Sequence, residues 1–169
     1  METRHYPDVD ETVTIETLPN GLAVHVLPKA GCSKVYAVFG TRYGSIDSRF
    51  EVDGEEIRVP DGIAHFLEHK MFEEPDGDVF AKFAKLGASA NAFTSFDRTV
   101  YLFSAAGNIR ENLTTLLDFV QRPYFTDENV EKEKGIIEQE INMYRDNPDW
   151  QVYFGLIAAL YRKHPVRID

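Results

Sequence analysis

Cysteine is almost absent: Cys32 is the only one in 169 residues. A single thiol cannot close an internal disulfide or build a cysteine zinc cluster, so a transition metal here must be held by histidine and carboxylate. Long apolar runs are missing too. No window approaches the roughly 18 continuous apolar residues of a membrane span, and the opening METRHYPDVDE lacks the apolar core of a signal peptide. A soluble, cytoplasmic protein without a membrane partner is expected. Basic charge is also scarce, with 18 Lys and Arg against 28 Asp and Glu and a formal net charge of -10. Such a surface repels the phosphate backbone, which excludes general nucleic-acid binding. Solubility is the plain use of the acidic excess, and attraction of basic peptides a secondary one. Internal repeats and low-complexity tracts are lacking.

What is present is enough apolar material, 43% hydrophobic and 12% aromatic, for one sizeable core and hence a single compact domain or part of one. Residues 13–18 and 22–27 alternate around Pro19, Asn20 and Gly21, which reads as a hairpin, and residues 35–43 are expected to extend that sheet. The polar stretch 44–60 contains a small hairpin turning at Asp53 and Gly54. Helices are expected over 61–72, from Asp78 to Leu86 with Gly87 ending it, from Asn108 to Gln121, from Thr126 towards Asn147, and again from Pro148. Residues 88–95 and 99–104 form a second hairpin, and a new extended segment starts near the final residues. The order indicates an α+β fold, a two-layer sandwich of a mostly antiparallel sheet packed by helices.

The chemistry starts on the first helix. His65 and His69 stand four residues apart, about one helical turn, so both imidazoles project towards one point. Glu68 lies beside the second histidine, placed to contact a metal-bound water as general base rather than to become a ligand. This His-x-x-Glu-His order inverts the commoner zinc-peptidase motif. At this chain's His and Glu content the pattern arises by chance in about one sequence in a hundred, so a third ligand has to be found independently.

The long helix offers two. Turned by about 100° per residue, Val130, Ile136, Ile137, Ile141, Met143 and Tyr144 define its buried arc, and Glu133 and Glu140 fall near the middle. Glu131 and Glu138 point the opposite way, to solvent. A carboxylate facing the core must be protonated, paired or coordinated. Two such glutamates seven apart suggest one that coordinates and one that supports a ligand; the competing reading is a pair of buried salt bridges to Lys or Arg. Two His and one Glu leave the fourth zinc position to water, the catalytic arrangement.

With these residues in hand the chain resembles the pitrilysin, insulinase and mitochondrial-processing-peptidase family of zinc peptidases. The likeness runs through the hairpin at Leu18 to Leu22, the lead-in Gly62, Ile63 and Ala64, the run Asn91, Ala92, Phe93, Thr94 and Ser95, and Glu133 through Glu140 followed by Asn147 and Pro148. The resemblance implies that Glu140 is the third zinc ligand, Glu133 its supporting glutamate and Glu68 the base. It also implies that Asn91, Ala92, Phe93 and Thr94 form an edge strand to which an extended peptide substrate is added. Lys70 and the acidic loop before Pro60 look like a bacterial-type branch whose members act beside a related partner subunit. Residues 1–169 are read as the N-terminal catalytic domain of such an inverted-motif endopeptidase, breaking off at its C-terminal end. A homologous second half or partner subunit would then be needed, and the isolated chain would bind Zn²⁺ but cleave peptides poorly. Two other classes compete: a catalytically silent peptide- or partner-binding module that keeps the zinc site, and a zinc hydrolase of a non-peptide substrate.

Overall fold

Turn chemistry sets the first unit. The computed structural model describes residues 1–168, and contacts divide the chain into two compact units, one of residues 1–33 and one from Lys34 onward. In the first, β1 (Glu2–Tyr6), β2 (Glu11–Thr17) and β3 (Ala23–Val26) form an antiparallel meander. Gly21 at φ 87° closes the β2–β3 turn, with Leu18 and Leu22 hydrogen-bonded across it. The strand β1 carries no alternating apolar signal and all five of its residues are exposed, so the sequence did not mark it.

The second unit is built on β4 (Val35–Thr41), followed by the small hairpin of β5 (Arg49–Val52) and β6 (Glu55–Arg58). Asp53 and Gly54 take positive φ at its turn, as their order predicts. Next come α1 (Ile63–Lys70), the two-residue strands β7 (Glu73–Glu74) and β8 (Gly77–Asp78), α2 (Val79–Lys85), β9 (Ala88–Thr94) and β10 (Thr99–Ala105). The helices α3 (Ile109–Phe119), α4 (Asp127–Arg145) and α5 (Pro148–Leu160) complete it.

One expectation is corrected here. The strand β4 does not extend the first hairpin's sheet; it pairs antiparallel with β10 in the order β4-β10-β9. Alternation marks a strand but not its neighbour, and the chosen neighbour is the one that buries the better face. In β10 that face is Thr99, Tyr101, Phe103 and Ala105, all buried. Against it pack Phe72, Val79, Phe83, Leu116 and Phe119, from α2, α3 and the turn after α1. Sheet and helices thus make the expected α+β arrangement, with all pairing antiparallel.

Local signals position the helices. Asp78 caps α2 by accepting from the Phe80 amide at 2.7 Å, Thr126 and Asn129 form a reciprocal capping box on α4, and Asn147 caps α5 ahead of Pro148. Asn108 departs from expectation. At φ 50° its side chain makes no cap, and its amide donates instead to the Leu86 carbonyl, tying α3 to the end of α2. The tail is corrected as well: residues Pro165–Arg167 form a 3-10 turn rather than an extended segment. No helix among the described residues is long and apolar enough to cross a membrane.

Candidate metal centre

The helix α1 presents His65 and His69 on one face, with ring centroids 4.7 Å apart and planes at 87°. Opposite it, α4 turns inward a stripe spaced three and four residues apart: Val130, Glu133, Ile137, Glu140 and Tyr144 are buried or half-buried. The sequence arc was therefore only partly right, since Ile136, Ile141 and Met143 are exposed, Met143 at 73%. An apolar flank beside the true inward stripe pulled the periodicity towards it. Glu131 and Glu138 face solvent as expected.

Glu140 Oε2 stands 3.7 Å from His65 Nε2 and 3.6 Å from His69 Nε2. One donor atom from each of the three residues lies within 4.8 Å of the others. These separations exceed a hydrogen bond, about 2.7–3.2 Å for nitrogen to oxygen. They approach the edge of a coordination tetrahedron, roughly 3.4 Å when each donor is about 2.0–2.1 Å from a central zinc. A borderline-soft divalent ion suits this His, His and carboxylate set, so the residues fit the metal that the motif implies.

Glu133 has another task. Its carboxylate, 10% exposed, accepts from His69 Nδ1 at 2.8 Å. An ionised carboxylate can only accept, so the bond places the ring proton on Nδ1 and leaves Nε2 with its lone pair towards Glu140. The buried salt bridge to Lys or Arg does not occur: among the described residues the ion-pair partners of Glu133 and Glu140 are the two histidines.

Glu68 is 8% exposed and lies outside this donor set. Its Oε2 accepts from the Thr94 hydroxyl at 2.9 Å. Tyr101 feels its charge: burial, with the Glu68 charge second, pushes that phenol well above the ordinary tyrosine range. The next residue after His69, Lys70, is fully buried and ion-paired to Glu73, fixing the end of the helix to the following turn.

The three donors and Glu68 line an open groove whose other wall includes Asn91, Ala92, Phe93 and Thr94. Those four belong to β9, the edge of its sheet, with one side paired to β10 and the other carrying no strand among the described residues. The Asn91 side chain accepts from the Ala92 amide at 2.9 Å, so this N–H faces the free edge. The sequence reading missed two features. One is the Thr94–Glu68 bond. The other is the loop at Gly44 and Ser45, held against the β9–β10 turn by Ser45 and Ile46 amides donating to the Ser95 and Phe96 carbonyls, both at 3.0 Å. A side chain at Gly44 would meet backbone atoms of Ser95, Phe96 and Arg98 at 2.5 Å, so glycine there is the available signal.

Comparison with known proteins bears on the family and the fold. The family model described as Insulinase (Peptidase family M16) matches residues 55–169. The uncharacterized zinc protease YmfH of Bacillus subtilis (strain 168) is 65% identical over 97% of this chain and 39% of its own length. The crystal structure of an M16-like peptidase from Alicyclobacillus acidocaldarius superposes with a TM-score of 0.90 at 55% identity, over 94% of this chain and 38% of that one. A protease from Helicobacter pylori gives a TM-score of 0.76 at 26% identity, over 92% of this chain and 37% of that one. The chain spans about two fifths of the length of these relatives.

Proposed function

We propose that this chain, which belongs to the insulinase family (peptidase family M16), supplies the zinc-binding and water-activating part of an endopeptidase site. His65, His69 and Glu140 hold the ion, Glu133 orients His69, and Glu68 is the general base. The observation that carries this is the spacing of Glu140 Oε2 from the two Nε2 atoms, too long for hydrogen bonds and close to that of ligands around a shared ion.

Zinc in such a site lowers the pKa of bound water to near 7 and polarises a carbonyl. The chain's own residues do the rest. Glu68 takes the proton of the attacking water and returns it to the departing amine. Main-chain groups on the free edge of β9, at Ala92 and Thr94, align an extended peptide along the groove, with Phe93 and Asn91 beside its side chains. That exposed edge favours a peptide over the small substrate of another hydrolase. The buried carboxylate of Glu68 beside the histidines argues against a silent binding module, which has no use for a base.

A second half or partner subunit completes the site in this reading. The helix α5 supports it: Val152, Leu156 and Leu160 are 72%, 55% and 66% exposed and none of its residues is buried. So apolar a helix normally lies under further protein. The isolated chain is accordingly expected to bind zinc and turn over peptides poorly. The test is Glu68→Gln in the full-length polypeptide: hydrolysis of a quenched fluorescent peptide should fall by at least about 100-fold while zinc content stays at the unsubstituted level. Surviving activity would remove Glu68 from its role, and loss of zinc in Glu68→Gln would make it a ligand instead.

A further inference from the structure

Among the described residues the base carries one side-chain hydrogen bond, and its donor sits on the strand expected to receive the substrate. We propose that Thr94 is a positioning residue for Glu68, holding one carboxylate oxygen so that the other faces the attacking water. The inference rests on the reading of Glu68 as the base.

A carboxylate this deeply buried needs a partner, and among the described residues no Lys or Arg pairs with it; Thr94 Oγ1 at 2.9 Å is its hydrogen-bond donor. The donor is itself fixed. Thr94 ends β9 opposite Thr99 of β10, and the Ser95 amide donates to the Arg98 carbonyl at 2.8 Å, which closes the turn immediately behind it. Side chains alternate along β9, so Thr94 shares its half-buried face with Ala88, Ala90 and Ala92. Those small neighbours let α1 approach, and Thr94 is the one hydroxyl on that face of the strand.

Its proton has a better acceptor in Glu68 than in Thr99. Thr99 Oγ1 gives its own proton to the Tyr43 carbonyl at 2.8 Å and could accept in turn, but it lies 3.5 Å from Thr94 Oγ1, against 2.9 Å for the carboxylate oxygen, and it is neutral. The Thr94 proton therefore goes to Glu68 Oε2, and among the described residues Oε1 has no hydrogen-bond donor, while Glu68 lines the groove. A single bond thus ties the base to the strand that aligns the peptide. A carboxylate left to rotate freely would spend much of its time away from the water, and small misplacements of a reacting group cost up to about 100-fold in rate.

The experiment compares wild type, Thr94→Val and Thr94→Ser in the zinc-loaded full-length polypeptide, using a quenched fluorescent peptide. Valine keeps the branched shape and every main-chain group of β9 while deleting the hydroxyl. The expected result is a kcat about 10- to 100-fold lower in Thr94→Val, with KM and zinc Kd within about twofold and kcat largely restored by Thr94→Ser. An unchanged kcat in Thr94→Val would overturn the proposal. So would a loss carried by KM, which would make Thr94 part of peptide docking alone. Crystal structures of the zinc-bound wild type and Thr94→Val decide it without turnover: the Glu68 carboxylate should leave its position in the variant while His65, His69 and Glu140 stay, and an unmoved carboxylate refutes it. Failure of the underlying reading looks different, with Glu68→Gln as active as wild type.

Discussion

Removing Glu133 tests the proposed centre most cleanly, because in that reading its carboxylate acts on the ion only through His69. Its Oε1 accepts a hydrogen bond from His69 Nδ1 at 2.8 Å, with the Glu133 side chain 10% exposed. Loss of such a partner typically weakens metal binding 10- to 100-fold. Glutamine retains an accepting oxygen and should cost about 10-fold, and alanine about 100-fold. At free zinc 100-fold above the wild-type Kd, binding stabilises the fold by about 2.7 kcal/mol. For a chain of this size that is a rise in Tm of roughly 5–10 °C. The same zinc concentration should give about 1.4 kcal/mol in Glu133→Gln and about 0.4 kcal/mol in Glu133→Ala, a rise of only ~1–2 °C. The assay is thermal unfolding with and without zinc, with Kd from chelator competition. Each variant is compared with its own metal-free state, because His69 left without its acceptor costs about 1–3 kcal/mol by itself. A folded Glu133→Ala with wild-type Kd and the full zinc-dependent rise would refute the reasoning and return Glu133 to a purely structural role.

Further outcomes follow from the packing. Phe103 is fully buried against Phe83, so Phe103→Ala should cost about 3–5 kcal/mol in urea unfolding; a loss below 1 kcal/mol would mean the sheet and helices do not share this core. Gly44→Ala forces a methyl into backbone atoms at 2.5 Å and should destabilise by about 1–3 kcal/mol and loosen the loop at Ser45, read as faster amide exchange at Ser45 and Ile46; unchanged exchange would contradict the close approach. Tyr101 keeps its proton above the pKa of 10.0 usual for the exposed phenol, through burial and then the Glu68 charge. Above pH 10 the folded state therefore holds more protons than the unfolded one, so this contribution is whole below pH 10 and fades as pH rises above it. Alkaline titration at 295 nm should show late-ionising tyrosine absorbance that Tyr101→Phe reduces, the remainder coming from Tyr43, which burial and then the Asp47 charge also push up.

Much of this protein is legible in local sequence, because the signals involved act within a turn or two. The His65 and His69 spacing fixes two imidazoles on one helical face wherever that helix goes. Asp53 with Gly54, Gly21 and the caps at Asp78, Thr126 and Asn147 close turns and start helices through contacts with near neighbours. Glu133 and Glu140, nearly in line on α4, were recognisable as inward carboxylates for the same reason. What those signals leave open is set by distances between elements far apart in the chain. Spacing allowed either glutamate to meet the histidines; only the approach of α1 to α4 put Glu140 between the two Nε2 atoms and Glu133 on Nδ1 of His69. Likewise, alternation made β4 a strand, while burial of Phe103 and Tyr101 chose β10 as its neighbour. The bond from Thr94 to Glu68 spans 26 residues and joins a strand to a helix. Periodicity measures direction around one axis; where two axes meet is decided by the packing of the whole core.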